Sequence, residues 1–181
     1  MAIVPDTKDW TWVLERPCPE CGFAAASITH ADVPALLVTN AAAWREVLAG
    51  PSPHVRPSPD RWSPLEYACH VRDVCRVYTE RLRLMLTEDA PDYPNWDQDA
   101  TAVADRYAEQ DPATVAEELT AAASHLAARF SEVTDAQWER TGSRSDGAHF
   151  TVDTFARYFI HDPVHHLYDV VGGEDRSAAP A

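Results

Sequence analysis

The chain has 181 residues, 45% of them hydrophobic, a net charge of -14 and fifteen basic side chains, among which Lys8 is the one lysine. That length and apolar content suit a single domain with one core. So acidic a balance argues against nucleic acid or an anionic membrane as partner, because phosphate contact needs basic side chains. No apolar run approaches the ~18 residues of a membrane span. The start MAIVPDTKDWTW also lacks a basic leader and an apolar signal core, so a soluble, cytoplasmic protein is expected.

Residues 1–31 read as an N-terminal arm. Its conspicuous segment, RPCPECGF, sets Cys18 and Cys21 in a C-x-x-C followed by Gly22, the shape of a zinc knuckle. A complete structural site needs two more ligands. His30, His54 or His149 could complete it, and a redox dithiol is a further reading, but the incomplete ligand set favours a turn that merely packs the arm on the remainder. Cys69 and Cys75, six apart on a helix, do not easily face one ion together.

The next segments are helical. From Asp32 to Ala49, the residues Val33, Leu37, Asn40, Ala41, Trp44 and Leu48 repeat at helical spacing until Gly50 and Pro51 stop them. After a proline-rich loop, Ser63, Pro64 and Glu66 supply the N-cap, the N1 proline and the N3 acid of a capping box. This second helix runs to about Thr87 with Val71, Cys75, Tyr78, Leu82 and Leu86 inward, His70 at the edge of the apolar arc, and Arg72, Arg76 and Arg83 on the solvated side. A long polar crossover over 88–110 follows, carrying Tyr93 and Trp96; such a connection suits two helices running in the same direction and often covers a site. A third helix from Asp111 and Pro112 to about Val133 turns Val115, Leu119, Ala122, Leu126 and Phe130 inward. A short turn over 136–140 and the loop TGSRSDGAHF then lead to a fourth helix from Thr151, in which Pro163 predicts a kink or loosened turn.

The fourth helix carries the chemistry. His161 and His165 form an H-x-x-x-H pair, one above the other and ~6 Å apart at their Cβ atoms, so both rings can close on one ion. Apolar residues take up so much of this helix that the pair is expected to point inward, where unpaired rings would be costly. His70 is the natural third ligand. Three imidazoles on a divalent transition metal leave a coordination position for water or substrate. His166, one residue past the pair, points ~100° away on a regular helix, although the expected kink keeps it open as a ligand. Asp169 and Asp73 could each hold a ligand ring or assist proton transfer, or could be ordinary helix-surface charge. Tyr158 and Tyr168 flank the same stripe as core aromatics or proton donors. Tyr93 and Trp96 could wall a pocket for substrate or a cofactor thiol, or simply pin the crossover. A nucleophilic-serine motif and a glycine-rich phosphate loop are both missing.

The segments WSPLEYACHVRD and FIHDPVHHLYDV, in this order and with these histidine positions, resemble the DinB superfamily, the group that also takes in YfiT-like metal hydrolases and mycothiol-dependent maleylpyruvate isomerases. The resemblance covers roughly residues 32–172, leaving 173–181 as a flexible tail. It implies an all-α, four-helix bundle of up-down-down-up order, with the long crossover between helices 2 and 3, and a divalent metal on His70, His161 and His165. Several relatives use that metal to activate a low-molecular-weight thiol such as mycothiol or bacillithiol, and homodimers are plausible for the family. The expected protein is a thiol S-transferase or hydrolase acting on a small molecule, with Zn foremost and Ni or Fe equally suited to imidazole. The other expectation is a non-catalytic metal-binding bundle serving stress response or interaction, since fold alone does not assign function.

Overall fold

Local chemistry sets most helix boundaries in the computed structural model, which describes residues 8–172; the expected tail at 173–181 lies outside the described residues. α1 spans Val33–Leu48 and buries the six periodic positions from Val33 to Leu48. α2 spans Pro64–Thr87, where the Ser63 hydroxyl accepts from the Glu66 amide and the Glu66 carboxylate accepts from the Ser63 amide. After the crossover, α4 spans Pro112–Ser131, capped by the Asp111 carboxylate on the Thr114 amide. α5 spans Val152–Val171, with Thr151 and Thr154 capping its start.

α4 packs on both α1 and α2, and α5 packs on the same two helices. Between them lie Leu37, Trp44, Leu65, Leu82, Leu119, Leu126, Phe130, Phe155 and Phe159, all fully buried. Each such side chain is worth ~1.5–3 kcal/mol relative to exposure. α5 continues through Pro163. The Asn40 amide donates to the Pro163 carbonyl at 2.9 Å and its oxygen accepts from the Trp44 indole at 3.0 Å, so a buried polar pair on α1 stitches α5 at the proline.

Two expectations are corrected. Arg72 is not on a solvated face: it is 3% exposed, in an ionic network between α2 and α4. The fold is also not wholly helical. The crossover holds β1 (Asp92–Tyr93) and a short helix α3 (Gln98–Ala104), and the loop before α5 is a hairpin of β2 (Thr141–Arg144) and β3 (His149–Thr151). β2 is central, parallel to β1 with Tyr93 opposite Arg144, and antiparallel to β3 with Gly142 opposite Phe150. Asp146 and Gly147 make its turn, with Gly147 at φ 97°. An Asp-Gly pair between two short strand-like runs is a strong hairpin signal that the helical reading passed over. The strip fastens the crossover's start to the hairpin, which brings Arg144 and Trp96 to the same end of the bundle as His70. Among the described residues no helix is long and apolar enough to cross a membrane.

Candidate metal centre

α5 presents two neighbouring stripes of ligand-type side chains, and the structure gives each its own partners. On one stripe Asp162 and His166 meet His70 from α2, with their ligand atoms all within 4.8 Å of one another. On the other, His161 and His165 meet Cys18 and Cys21 of the arm, within the same limit. The three histidines expected to share one ion are therefore divided. His70 and His166 contact edge to face at 4.8 Å between ring centres, whereas His161 faces His165 at 5.1 Å. The reason is rotational: successive residues on a helix are ~100° apart, so α5 offers one pair to α2 and the next pair to the arm.

The His70 group lies on a cavity of about 1370 Å³. His70 is fully buried, stacked on Trp96 at 5.4 Å and flanked by Trp62. Its Nε2 faces the Asp162 carboxylate at 3.3 Å, and His166 Nε2 approaches the same carboxylate at 3.8 Å. Burial alone would push the Asp162 carboxyl up; the facing His70 and His166 hold it at about 2. His70 Nδ1 and Asp162 Oδ1 are buried with no hydrogen-bond partner. Unsatisfied buried polar atoms are costly, so His70 and Asp162 with these atoms, joined by His166 at a cavity wall, fit a divalent cation. Such a set leaves open positions toward the cavity.

The other predicted residues divide as well. Asp169 lies between the stripes, 3.3 Å from His166 Nδ1 and 3.7 Å from His165 Nε2, with Arg61 beside it. It is placed to orient both rings. Asp73 points elsewhere: Arg72, Arg76 and Tyr107 surround it, and it does not line the cavity. Trp96 lines the cavity, pinned by its indole N–H on Thr101 at 2.8 Å. Tyr93 is 2% exposed, packed against Phe155 and beneath Arg81, and it does not line the cavity. Tyr158 does line it and accepts from Arg144 at 3.3 Å; burial raises its phenol.

Sequence reasoning passed over the arginines. Arg81, 6% exposed, donates to the Pro94 carbonyl and lies over Tyr78 and Tyr93. No ion pair among the described residues neutralises it, and burial lowers its pKa. It lines the cavity beyond Tyr158, beside Arg144, which is paired with Asp146 at 2.9 Å. The signal for this was absent, because a lone arginine on a long helix reads as surface.

On the second stripe, burial and the neighbouring His165 pull His161 down to about 4, so its ring is neutral at neutral pH. His161 Nε2 has no hydrogen-bond partner. None of the three histidines considered for the Cys pair is near it: His30 stacks on Trp138 and pairs with Asp153, His54 faces the Ala108 carbonyl, and His149 contacts Ser143.

The family model described as the DinB superfamily matches residues 36–170. A solved structure, YfiT from Bacillus subtilis, described as a probable metal-dependent hydrolase with an unusual four-helix bundle topology, is similar at 18% identity over 99% of this chain and 95% of that one, with a TM-score of 0.68. No curated protein matches the chain.

Proposed function

The chain belongs to the DinB superfamily, and on that footing we propose that it is a metal-dependent enzyme acting on a small anionic molecule at the cavity above His70, Asp162 and His166. The observation that carries this reading is that one cavity holds both a two-histidine, one-carboxylate donor set and the buried guanidinium of Arg81. A divalent ion held there would act as a Lewis acid and lower the pKa of water or of a thiol that reaches it.

The chain's own residues do the remainder. Trp62 and Trp96 enclose His70 and keep solvent from its ring. Asp169 accepts from His166 Nδ1–H, which favours the tautomer that carries the lone pair on Nε2, the nitrogen on the Asp162 side. Arg81 supplies a buried guanidinium for a carboxylate or phosphate on the substrate, where it is worth far more than at a surface. Tyr158, held by Arg144, lies on the same wall as a proton donor to a leaving group. Hydrolysis and thiol transfer share this arrangement and differ in the nucleophile: water in the first, a low-molecular-weight thiol such as mycothiol in the second.

The test is turnover of a panel of carboxylate- and phosphate-bearing esters, amides and electrophiles by metal-loaded protein, with and without added thiol. Hydrolysis product alone assigns the hydrolase, and a sulfur conjugate assigns the transferase. His70→Ala and His166→Ala should each lose more than the ~10–100-fold typical of disturbing a residue behind a ligand. Unchanged turnover in His166→Ala, or full activity after chelation, refutes the assignment. Bound metal with no turnover across the panel favours the non-catalytic bundle.

A further inference from the structure

The arm's C-x-x-C and the outer histidine stripe have no part in that chemistry. We propose that Cys18, Cys21, His161 and His165 form a second, structural zinc site, closed by four protein ligands, which clamps the arm onto α5.

The geometry of each ligand supports it. Residues 18–23 form a knuckle in which the Cys18 amide donates to the Phe23 carbonyl and the Gly22 amide donates to the Cys18 carbonyl, at 2.8 and 2.9 Å. Gly22 sits at φ 75°, left-handed backbone that a side chain resists. The added Cβ would meet nothing within 4 Å, so the turn itself demands the glycine. This turn sets both sulfurs toward α5. Cys18 Sγ lies 3.6 Å from His165 Nδ1. Zn–S of ~2.3 Å and Zn–N of ~2.0–2.1 Å at tetrahedral angles require ~3.6 Å between sulfur and nitrogen.

The imidazoles are arranged as ligands too. His161 Nε2 is buried without a partner, as a nitrogen reserved for an ion would be. His165 turns Nδ1 to the sulfur and its outer Nε2 toward Glu20 and Asp169, both at 3.7 Å. An outer ring nitrogen facing a carboxylate is the usual support of a ligating histidine. Trp10 and Phe23 pack against His161 at 5.4 and 5.5 Å between ring centres.

Charge and stoichiometry balance. Two Zn–S and two Zn–N bonds form, two thiol protons leave to solvent, and nothing is oxidised or reduced. Two thiolates neutralise the dication, which lets the site be buried at little electrostatic cost. Four protein ligands leave no open position, so this ion holds structure and the neighbouring group keeps the reactive one. The clamp fixes the rotation of α5, and with it the stripe that turns Asp162 and His166 to the cavity.

The experiment compares the full-length His70→Ala/His166→Ala variant with the Cys18→Ser/Cys21→Ser variant by elemental analysis and zinc-edge X-ray absorption. The first lacks the open group, so the result does not depend on the function proposed above. It should retain about one zinc per chain with about two sulfur ligands near 2.3 Å. The second should lose all sulfur-ligated zinc. Zinc with only nitrogen and oxygen ligands in the first variant, or no zinc at all, overturns the proposal. If the serine variant does not fold, titration of wild-type protein with an organomercurial decides: zinc should leave in step with thiol modification, and modification of Cys18 and Cys21 without zinc release overturns the site equally.

Discussion

Removing the Asp73 carboxylate should weaken the fold and leave the metal chemistry intact. Its Oδ1 accepts from Arg72 Nε and Arg76 Nη1, both at 2.9 Å, and its Oδ2 from Arg72 Nη2 at 2.9 Å and the Tyr107 hydroxyl at 2.6 Å. Arg72 reaches on to Gln110 at 2.7 Å and Glu118 at 2.8 Å, so one network joins α2, the end of the crossover and α4. Breaking a buried ion pair from one side costs ~3–5 kcal/mol. Glu118 and Gln110 still accept from Arg72, which lowers the expectation for Asp73→Ala to ~2–4 kcal/mol, or roughly 5–15 °C in Tm for a chain of this size. Tyr107→Phe should cost about 1.5–3 kcal/mol, as for a hydrogen bond to a charged group, and the two losses should be strongly non-additive.

The pH dependence has a definite sign. Burial would raise the Asp73 carboxyl, but the hydrogen bonds from Arg72 and Tyr107 and the charges of Arg72 and Arg76 outweigh it and hold the pKa below the usual range. A depressed carboxylate contributes stability that is complete above the unfolded pKa of ~3.9 and is lost as pH falls through the folded value. Asp73→Ala should therefore flatten the acid limb of the stability profile below about pH 4. Urea unfolding followed by circular dichroism, across pH and for both singles and the double variant, measures all of this. A loss under about 1 kcal/mol would refute the structural role. So would intact stability with abolished turnover, because that returns Asp73 to the reacting centre.

Arg81→Gln should raise KM for an anionic substrate about 10–100-fold and change kcat less, in line with a lost charged hydrogen bond of ~1.5–3 kcal/mol; equal KM for charged and neutral substrates would remove Arg81 from recognition. Gly22→Ala should cost ~1–2 kcal/mol through the left-handed backbone and speed zinc loss to a chelator, read by a colorimetric zinc indicator. Ser63→Ala, which removes the hydroxyl from the start of α2, should lower stability by ~1 kcal/mol without moving the metal content, as urea midpoints and elemental analysis would show.

The parts legible in the sequence are those decided within a few residues. Ser63, Pro64 and Glu66 determine where α2 begins, and Asp111 and Thr151 do the same for α4 and α5, because each cap satisfies amides two or three residues away. The H-x-x-x-H spacing likewise puts His161 and His165 on one face whatever the rest of the chain does. What lay outside such local energies was misjudged. Arg72 has the chemistry of a surface residue and is buried because Gln110 and Glu118 reach it from separate elements while its neighbour Asp73 pairs with it on α2. The hairpin at Gly147 was signalled locally, but β1 joins it from the start of the crossover, about fifty residues earlier in the chain, which no local rule specifies.

The division of the histidines shows where the boundary falls. By itself the sequence determined that α5 carries a ligand pair and that the arm carries a second pair of sulfurs. It did not determine which pair faces which partner, since adjacent stripes on a helix differ by one residue and ~100° of rotation. That rotation follows from how α5 packs its apolar residues against α1 and α2 and how the arm folds over its outer side, contacts between residues far apart in the chain. Tertiary packing thus gives His70 to Asp162 and His166, and the two cysteines to His161 and His165.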